Sequence, residues 1–305
     1  MTSYRLGINT CFAVKRWPQP ERWARVVRDD LGLDLVQHTL DLIDLDTSPA
    51  DVAGQADWLR AACTIGGLTL HSTFTGLAAY SSNLLLHPDP VARERGRAWY
   101  RRVIDFTAAV GASSTGGHVG AYSIDDWRHP VRRRKLWSEL GESLAELAAH
   151  AREQGLSSLM AENLAAAREP STLQMLSSLL TDGDDAHVPI RLCLDVGHQC
   201  VPGTSGADRD PYAWLEQLGA RTTVVQLQQA DGTADRHWPF TAQANAAGII
   251  GAQKVLAALD RSGATDVALI LEIIPAFEQD DDQALADLRQ SAEYWRAALA
   301  EHDGG

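Results

Sequence analysis

Three acidic side chains stand in apolar segments where an unpaired charge would be costly. Glu162 lies in SSLMAEN, Asp195 in IRLCLDV and Glu272 in DVALILEI. A carboxylate in such a place needs a salt bridge, hydrogen bonds or a cation. Three acids that converge would also repel each other and raise each other's pKa values, and a divalent cation would relieve that repulsion. Because hard oxygen ligands suit Mg²⁺ or Mn²⁺, we predict that the three acids hold such a metal.

Four histidines and two basic residues lie where they could serve the same site. His198 follows Asp195 by three residues across a glycine turn, which could bring its imidazole back over the metal, so we expect it to be catalytic. His71 and His118 stand near the ends of apolar segments, and His237 lies in the loop DRHWPF. We predict substrate contacts from His71, His118, His237, Lys15 and Arg236, the last two as phosphate contacts.

The chain repeats one pattern, in which a short apolar segment precedes a longer amphipathic one. Apolar residues spaced by three and four positions predict helices between the short segments. Eight such units in about 300 residues predict a single (β/α)8 TIM barrel rather than an open doubly wound sheet, since no GxGxxG follows the first strand. The predicted strands are 6–10, 33–39, 68–74, 113–119, 157–163, 190–196, 222–229 and 266–273.

Three connections are longer than a barrel needs. Residues 75–90, 197–211 and 231–250 follow predicted strands three, six and seven. They leave the carboxyl ends of strands, which form the active-site face of a barrel. Long loops at that face commonly cover a substrate, so we expect these three to enclose the site.

Composition and charge restrict the partners. The 305 residues carry a net charge of −13, which argues against a nucleic-acid partner because phosphate binding needs a basic surface. No segment approaches ~18 consecutive apolar residues, and the amino terminus does not resemble a signal peptide. Four scattered cysteines without a CxxC pair indicate free thiols. We expect a cytoplasmic protein with no membrane partner, folded as one domain over residues 1–305.

The motifs AEN at 161–163, LDVGH at 194–198 and LILEI at 269–273 resemble the xylose isomerase-like TIM barrel superfamily. The superfamily includes the ketose 3-epimerases. The stretches 12–34, 71–89 and 235–240 look most like its tetrulose-phosphate epimerase branch. The resemblance implies one Mn²⁺, or Mg²⁺ or Co²⁺, held by Glu162, Asp195, a ligand on strand seven and Glu272. It also implies that Glu162 and Glu272 form the proton-transfer pair and that His198 contacts a substrate oxygen.

Strand seven departs from the family pattern. The family usually has a histidine there, whereas this chain reads VVQLQQADG. By register, Gln228 takes the ligand position and Gln226 the place of the preceding histidine. We therefore predict Gln228 as the fourth metal ligand, although an amide oxygen binds such metals more weakly than imidazole.

The predicted function is a metal-dependent sugar or sugar-phosphate isomerase or epimerase. A proton next to a carbonyl would be removed through an enediolate and returned. If a leaving group lies β to the carbonyl, the same chemistry gives a lyase acting on 3-keto-glycosides. A zinc-dependent apurinic endonuclease and a non-catalytic sugar-binding barrel are further alternatives. We expect a homo-oligomer, or a hetero-oligomer with a small subunit if the lyase interpretation is correct.

Overall fold

Eight parallel strands close into a barrel in the computed structural model, which describes residues 2–304. Each strand pairs with the next in chain order, and the last pairs with the first, so the sheet has no free edge. The predicted single (β/α)8 barrel is therefore confirmed. The strands are β1 (Ser3–Asn9), β2 (Leu35–Thr39), β3 (Thr69–Phe74), β4 (Ser114–Gly117), β5 (Ser158–Glu162), β6 (Ile190–Asp195), β7 (Thr222–Leu227) and β8 (Asp266–Leu271).

Helices surround the barrel, and several of them begin with a side-chain cap. Ser48, Asp89 and Asp210 each accept a hydrogen bond from a backbone N–H of the first turn of a helix that starts with proline. The helices are α1 (Pro20–Arg25), α2 (Pro49–Gly66), α3 (Gly76–Ala79), α4 (Pro90–Ala109), α5 (Ile124–Arg128), α6 (Pro130–Glu153), α7 (Leu173–Leu179), α8 (Pro211–Leu218), α9 (Ala242–Ala247), α10 (Ala252–Ser262) and α11 (Asp281–Asp303). A π-helical turn, Val26–Asp30, extends α1.

Glycine follows several of these helices, and one of these glycines has a different backbone conformation from the others. Gly111, Gly155 and Gly263 have φ values of 79°, 82° and 78°, the left-handed region typical of a residue after a helix. Gly219 instead has φ −57° and starts a short 3₁₀ turn, Gly219–Arg221. A Cβ at Gly219 would lie 2.4 Å from the Ser262 Oγ, so close packing rather than backbone conformation explains this glycine.

Strand alternation fills the barrel in layers. Successive residues of a strand face opposite sides, so Ile270 and Glu272 point into the barrel together with Val224 and Gln226 from β7. The lower interior is apolar, and polar residues follow toward the carboxyl ends of the strands. The apolar interior cluster consists of Leu35, Phe74, Met160, Cys193, Val224, Ala268 and Ile270. A larger apolar cluster packs between the strands and the helices.

The strand register sets the acidic residues at one level. Glu162 is paired with Cys193, and Asp195 is paired with Gln226. The backbone N–H of Glu272 donates to the Leu227 carbonyl at 2.9 Å. All three acids therefore stand at the carboxyl ends of their strands, the face at which barrel enzymes carry their sites.

The long predicted loops rise from that same face. The connection after β3 contains α3, and the connection after β7 contains α9. The connection after β6 contains the short helical turn Gly206–Arg209. Among residues 2–304, no helix combines the length and apolar character needed to cross a membrane.

Candidate functional site

Three buried carboxylates meet at the mouth of the barrel. Glu162, Asp195 and Glu272 each offer an oxygen, and these oxygens lie within 4.8 Å of one another. The side chains of Glu162 and Asp195 are fully buried, and Glu272 is 3% exposed. Carboxylates this close in a dry site disfavour each other's ionisation. The structure thus brings together the three acids expected to hold a metal.

Glu162 contacts a tyrosine from the loop after β3. The Tyr80 hydroxyl donates a short hydrogen bond to Glu162 Oε2. The other oxygen, Oε1, is buried and has no hydrogen-bond partner among the described residues. Burial raises the pKa of Glu162 to about 8, and the charge of Asp195 adds to that, while His198 and Tyr80 partly oppose it. The unpartnered oxygen is therefore available to bind a metal or to exchange a proton, and this pKa brings that exchange near neutral pH.

Glu272 is oriented by a layer of amides beneath it. Its Oε1 accepts from Gln226 Nε2 at 2.8 Å and from Asn9 Nδ2 at 3.2 Å. Both amide groups also donate to Gln37 Oε1, which links them into one network. Burial raises the pKa of Glu272 well above its ordinary value, and Asp195 and Glu162 add to that effect. Gln226 thus positions Glu272 from below.

Asp195 is held by its own turn and by β7. Its Oδ1 accepts the Gly197 backbone N–H at 2.6 Å. Gln228 Nε2 donates to both carboxylate oxygens, at 3.0 and 3.1 Å. A Cβ at Gly197 would lie 2.3 Å from Gln228 Cδ, so the LDVGH turn needs glycine for this contact. The side chain of Asn163 pairs with the backbone N–H and carbonyl of Asp195 and anchors the strand end.

His198 is turned toward the acids by its backbone contact. Its Nδ1 donates to the Asn163 carbonyl at 2.7 Å, which leaves Nε2 3.3 Å from Asp235 Oδ2 and 3.7 Å from Asp195 Oδ2. Burial opposes its charged form, but Asp195 and Asp235 prevail and raise the pKa of His198 well above the usual value. The raised pKa favours the protonated ring, whose Nε2 can donate to a bound oxygen.

His237 and Asp235 lie in the loop after β7, and both line the site. His237 Nδ1 lies 3.1 Å from the Glu272 carbonyl, and Nε2 lies 3.2 Å from Asp235 Oδ1. Asp195, His198 and His237 also offer ligand atoms within 4.8 Å of one another. Burial opposes the charged form of His237, yet its hydrogen bond to Asp235 raises its pKa. Asp195 is thus shared by the three-acid cluster and a histidine pair.

A cavity of about 250 Å³ opens above these groups. Its walls include His198, His237 and Glu272 together with Tyr80 and Asp41. Asp41 accepts the backbone N–H groups of Leu77 and Ala78, so it anchors α3 and with it Tyr80. This small, partly enclosed cavity suits a small polar molecule and lies directly at the acidic cluster.

Other predicted contacts lie away from this cavity. His71 stands near Arg5 and Asp266 at the amino-terminal end of the barrel, because it belongs to the first half of β3. His118 is buried behind Tyr80, with ring centroids 4.9 Å apart, and its Nε2 contacts the Ser82 carbonyl. The structure thus places His71 away from the cavity, and His118 supports Tyr80 from the side.

The two predicted phosphate contacts have other partners. Lys15 Nζ lies 4.2 Å from the centroid of the Phe277 ring. Arg236 donates to Asp231 at 2.8 and 3.1 Å and lies over the Trp238 ring. Neither residue lines the 250 Å³ cavity. Both side chains therefore lie outside the cavity and contact other residues.

Several site residues went unrecognised from the sequence. Tyr80 lies inside a loop that was expected to cover the site, yet nothing singled it out from neighbouring polar residues. Asp235 precedes Arg236 and looked like an ordinary surface acid. Asn9 and Gln37 could have been found, since each faces inward at the end of its strand. The inward register was the available signal for these two amides.

Comparison with known proteins agrees with this architecture. A family model described as "Xylose isomerase-like TIM barrel" matches residues 26–298. A solved structure described as a putative xylose isomerase from Rhodospirillum rubrum is 37% identical, with a TM-score of 0.88 over 97% of this chain and 99% of the other.

Named relatives include epimerases. D-erythrulose 1-phosphate 3-epimerase of Brucella abortus is 27% identical over 296 residues, 95% of this chain and 94% of the relative. D-psicose 3-epimerase of Clostridium cellulolyticum is 16% identical with a TM-score of 0.70, covering 97% and 99% of the two chains. The D-erythrulose 1-phosphate 3-epimerase match confirms the predicted class, an enzyme among the sugar isomerases and epimerases, and the D-psicose 3-epimerase match shows the shared fold. The chain belongs to the xylose isomerase-like TIM barrel family.

Proposed function

We propose that the protein is a divalent-metal-dependent epimerase or isomerase of a small ketose or ketose phosphate. The observation that carries this proposal is the convergence of Glu162, Asp195 and Glu272 within 4.8 Å in a buried site. The relative named D-erythrulose 1-phosphate 3-epimerase supports a tetrulose phosphate as the first substrate to try. The 250 Å³ cavity suits a molecule of that size.

The three acids fit a divalent cation. Two carboxylate oxygens within 4.8 Å of each other repel by at least about 3 kcal/mol at an effective dielectric constant of ~20, and a cation between them reverses that. The unpartnered Glu162 Oε1 provides a buried oxygen without a competing donor among the described residues. All-oxygen donors of this kind suit Mn²⁺, Mg²⁺ or Co²⁺. When bound, such an ion supplies Lewis acidity, which polarises a carbonyl and makes the neighbouring C–H more acidic.

Glu162 and Glu272 are the proposed proton-transfer pair. They stand on β5 and β8, three strands apart in a ring of eight, so they approach the cavity from different directions. A base and an acid on different sides of a carbon can remove its proton from one face and return a proton to the other. Burial raises the pKa of both carboxyls, which brings their proton exchange toward neutral pH.

His198 is the proposed donor to the substrate oxygen next to the reacting carbon. Its Nδ1 is held by the Asn163 carbonyl, so the ring cannot rotate freely, and Nε2 faces the acids at the cavity. A fixed cationic donor stabilises negative charge as it develops on that oxygen. Tyr80 closes the other side of the cavity and keeps the Glu162 carboxyl in place through its hydrogen bond.

Deuterium exchange tests this function. Metal-stripped protein supplied with Mn²⁺ in D₂O should place deuterium on the α-carbon of a recovered ketose or ketose phosphate. Glu162→Gln and Glu272→Gln should each abolish turnover, while Glu142→Gln, an exposed position on α6, should not.

Three results would overturn the proposal. No exchange in any four- to six-carbon ketose would exclude the epimerase and the isomerase. Release of an aglycone from a 3-keto-glycoside would identify a lyase instead. Sugar binding that is unchanged in both glutamine variants, without turnover by any form, would identify a binding protein.

A further inference from the structure

Gln228, which takes the metal-ligand position by register, has no free atom to offer a metal. Its Oε1 accepts the backbone N–H groups of Arg236 and His237. Its Nε2 donates to Asp195 and, at 2.9 Å, to Asp235 Oδ1. Exchanging the amide oxygen and nitrogen would set the oxygen against two carboxylates and the nitrogen against two N–H donors. The hydrogen-bond network therefore determines the orientation of this amide.

Through those contacts Gln228 holds the following loop in an unusual shape. His237 has φ 47°, a left-handed conformation that non-glycine residues rarely adopt. Such strain persists where surrounding contacts enforce it. Here the backbone N–H of His237 is fixed by Gln228, and its imidazole is directed back into the site.

The His237 ring has the contacts typical of a metal-binding histidine. A carbonyl oxygen can only accept, so Nδ1 carries the hydrogen that is shared with the Glu272 carbonyl at 3.1 Å. Nε2 then faces the acidic groups, with Asp235 Oδ1 at 3.2 Å, and it would bind a metal in its deprotonated form in place of that contact. Metal-bound histidines commonly donate their second N–H to a carbonyl in this way, which fixes the ring and its tautomer.

His237 lies on the side of the acidic cluster where no strand supplies a ligand, and it shares Asp195 with that cluster. Glu162, Asp195 and Glu272 come from β5, β6 and β8, so the β7 side of the cluster lacks an acid. His237 enters from the loop after β7, and its ligand atom lies within 4.8 Å of one on Asp195. His198 comes instead from the turn after β6, the strand that already supplies Asp195.

Resting on the proposed function, we infer that His237 Nε2 is the fourth metal ligand and that Gln228 is a positioning residue. Gln228 replaces the expected strand-seven histidine only in sequence. Its amide orients Asp195 on one side and the His237 loop on the other. The imidazole ligand is thereby moved nine residues along the chain, from a strand to a loop.

Pulsed EPR of Mn²⁺ alone, bound to metal-stripped protein, tests this assignment. The wild type should show the ¹⁴N modulation of a bound imidazole. His237→Asn should lose it and weaken Mn²⁺ binding by about 100-fold or more, since even an outer partner of a ligand costs about 10- to 100-fold. Asparagine tolerates the left-handed φ at this position, so this variant should fold. His198→Gln should keep the ¹⁴N signal. Gln228→Met should keep it too but weaken Mn²⁺ binding, because the His237 loop and Asp195 lose the amide that orients them.

The other outcomes separate the two levels of the proposal. Mn²⁺ bound by the wild type without ¹⁴N modulation would refute the histidine ligand and leave the metal-dependent function standing. The same holds if the signal survives in His237→Asn or disappears in His198→Gln alone. A wild type that binds no Mn²⁺ would overturn both the ligand assignment and the proposed function.

Discussion

Replacing Glu162 with glutamine should remove a pH-dependent instability of the metal-free protein. Burial and the Asp195 charge raise the pKa of Glu162 from 4.5 to about 8. Because this folded-state pKa lies above the unfolded one, its stabilising contribution is complete below pH 4.5. That contribution is lost as the pH rises through about 8. The glutamine variant keeps the shape of the side chain without the ionisation.

The expected effect follows from that pKa. At about 1.4 kcal/mol for each pKa unit, a rise from 4.5 to about 8 corresponds to about 5 kcal/mol. For 305 residues, with an unfolding entropy of roughly 2.1 cal/mol/K per residue, this equals about 8 °C in Tm. The variant should match the wild type near pH 4.5 and exceed its stability by that amount near pH 8.

Thermal and urea unfolding in EDTA between pH 4.5 and 8 would measure this difference. Glu142→Gln is the matched control, since Glu142 is exposed on α6 and should give no pH-dependent difference. With Mn²⁺ at ~100 times its Kd, the wild type should regain about 2.7 kcal/mol, and Glu162→Gln clearly less. A difference between wild type and variant that stays constant across this pH range would refute the account of Glu162 as a strained buried carboxyl.

Three further predictions concern Tyr80, Gly197 and His38. Tyr80→Phe should lower kcat by about 10- to 100-fold, because a hydrogen bond to a charged group contributes about 1.5–3 kcal/mol. An unchanged kcat in steady-state assays would show that the Tyr80–Glu162 hydrogen bond does not contribute to turnover. Gly197→Ala should displace Gln228 and weaken Mn²⁺ binding in calorimetry, since the new Cβ would lie 2.3 Å from its Cδ. Equal affinity would contradict the positioning role. Burial lowers the pKa of His38 to about 3, so its stabilising contribution is present above pH 6.5 and is lost as the pH falls below it. At pH 5 that loss is about 2 kcal/mol, and His38→Gln should flatten the stability profile between pH 5 and 6.5, whereas a parallel profile would contradict it.

Much of the barrel and its acidic cluster follows from local patterns in the chain. Alternating apolar segments and amphipathic stretches predicted all eight strands, because burial on both faces leaves a clear run of apolar residues. Glu162, Asp195 and Glu272 stood out because a charge in such a run requires compensation. Their convergence then follows from parallel strands that end at one face.

His71 shows where that reasoning fails. It lies on a correctly predicted strand. Only the pairing with neighbouring strands shows how close a residue of that strand lies to the carboxyl-terminal face, where the site is. His71 belongs to the first half of β3 and lies near Arg5 and Asp266, at the end of the barrel opposite to the acidic cluster. A position within a strand does not determine height in the barrel until the neighbouring strands are paired.

The sequence by itself determined the barrel, the acidic cluster and the absence of a histidine at position 228. The tertiary structure alone decided what Gln228, Tyr80 and His237 contact. These contacts join residues far apart in the chain through loops whose path depends on backbone hydrogen bonds, such as those to the Gln228 amide. Side chains alternate between the two faces of a strand, whereas a loop has no such periodicity. The contacts of loop residues can therefore be assigned only from the folded structure.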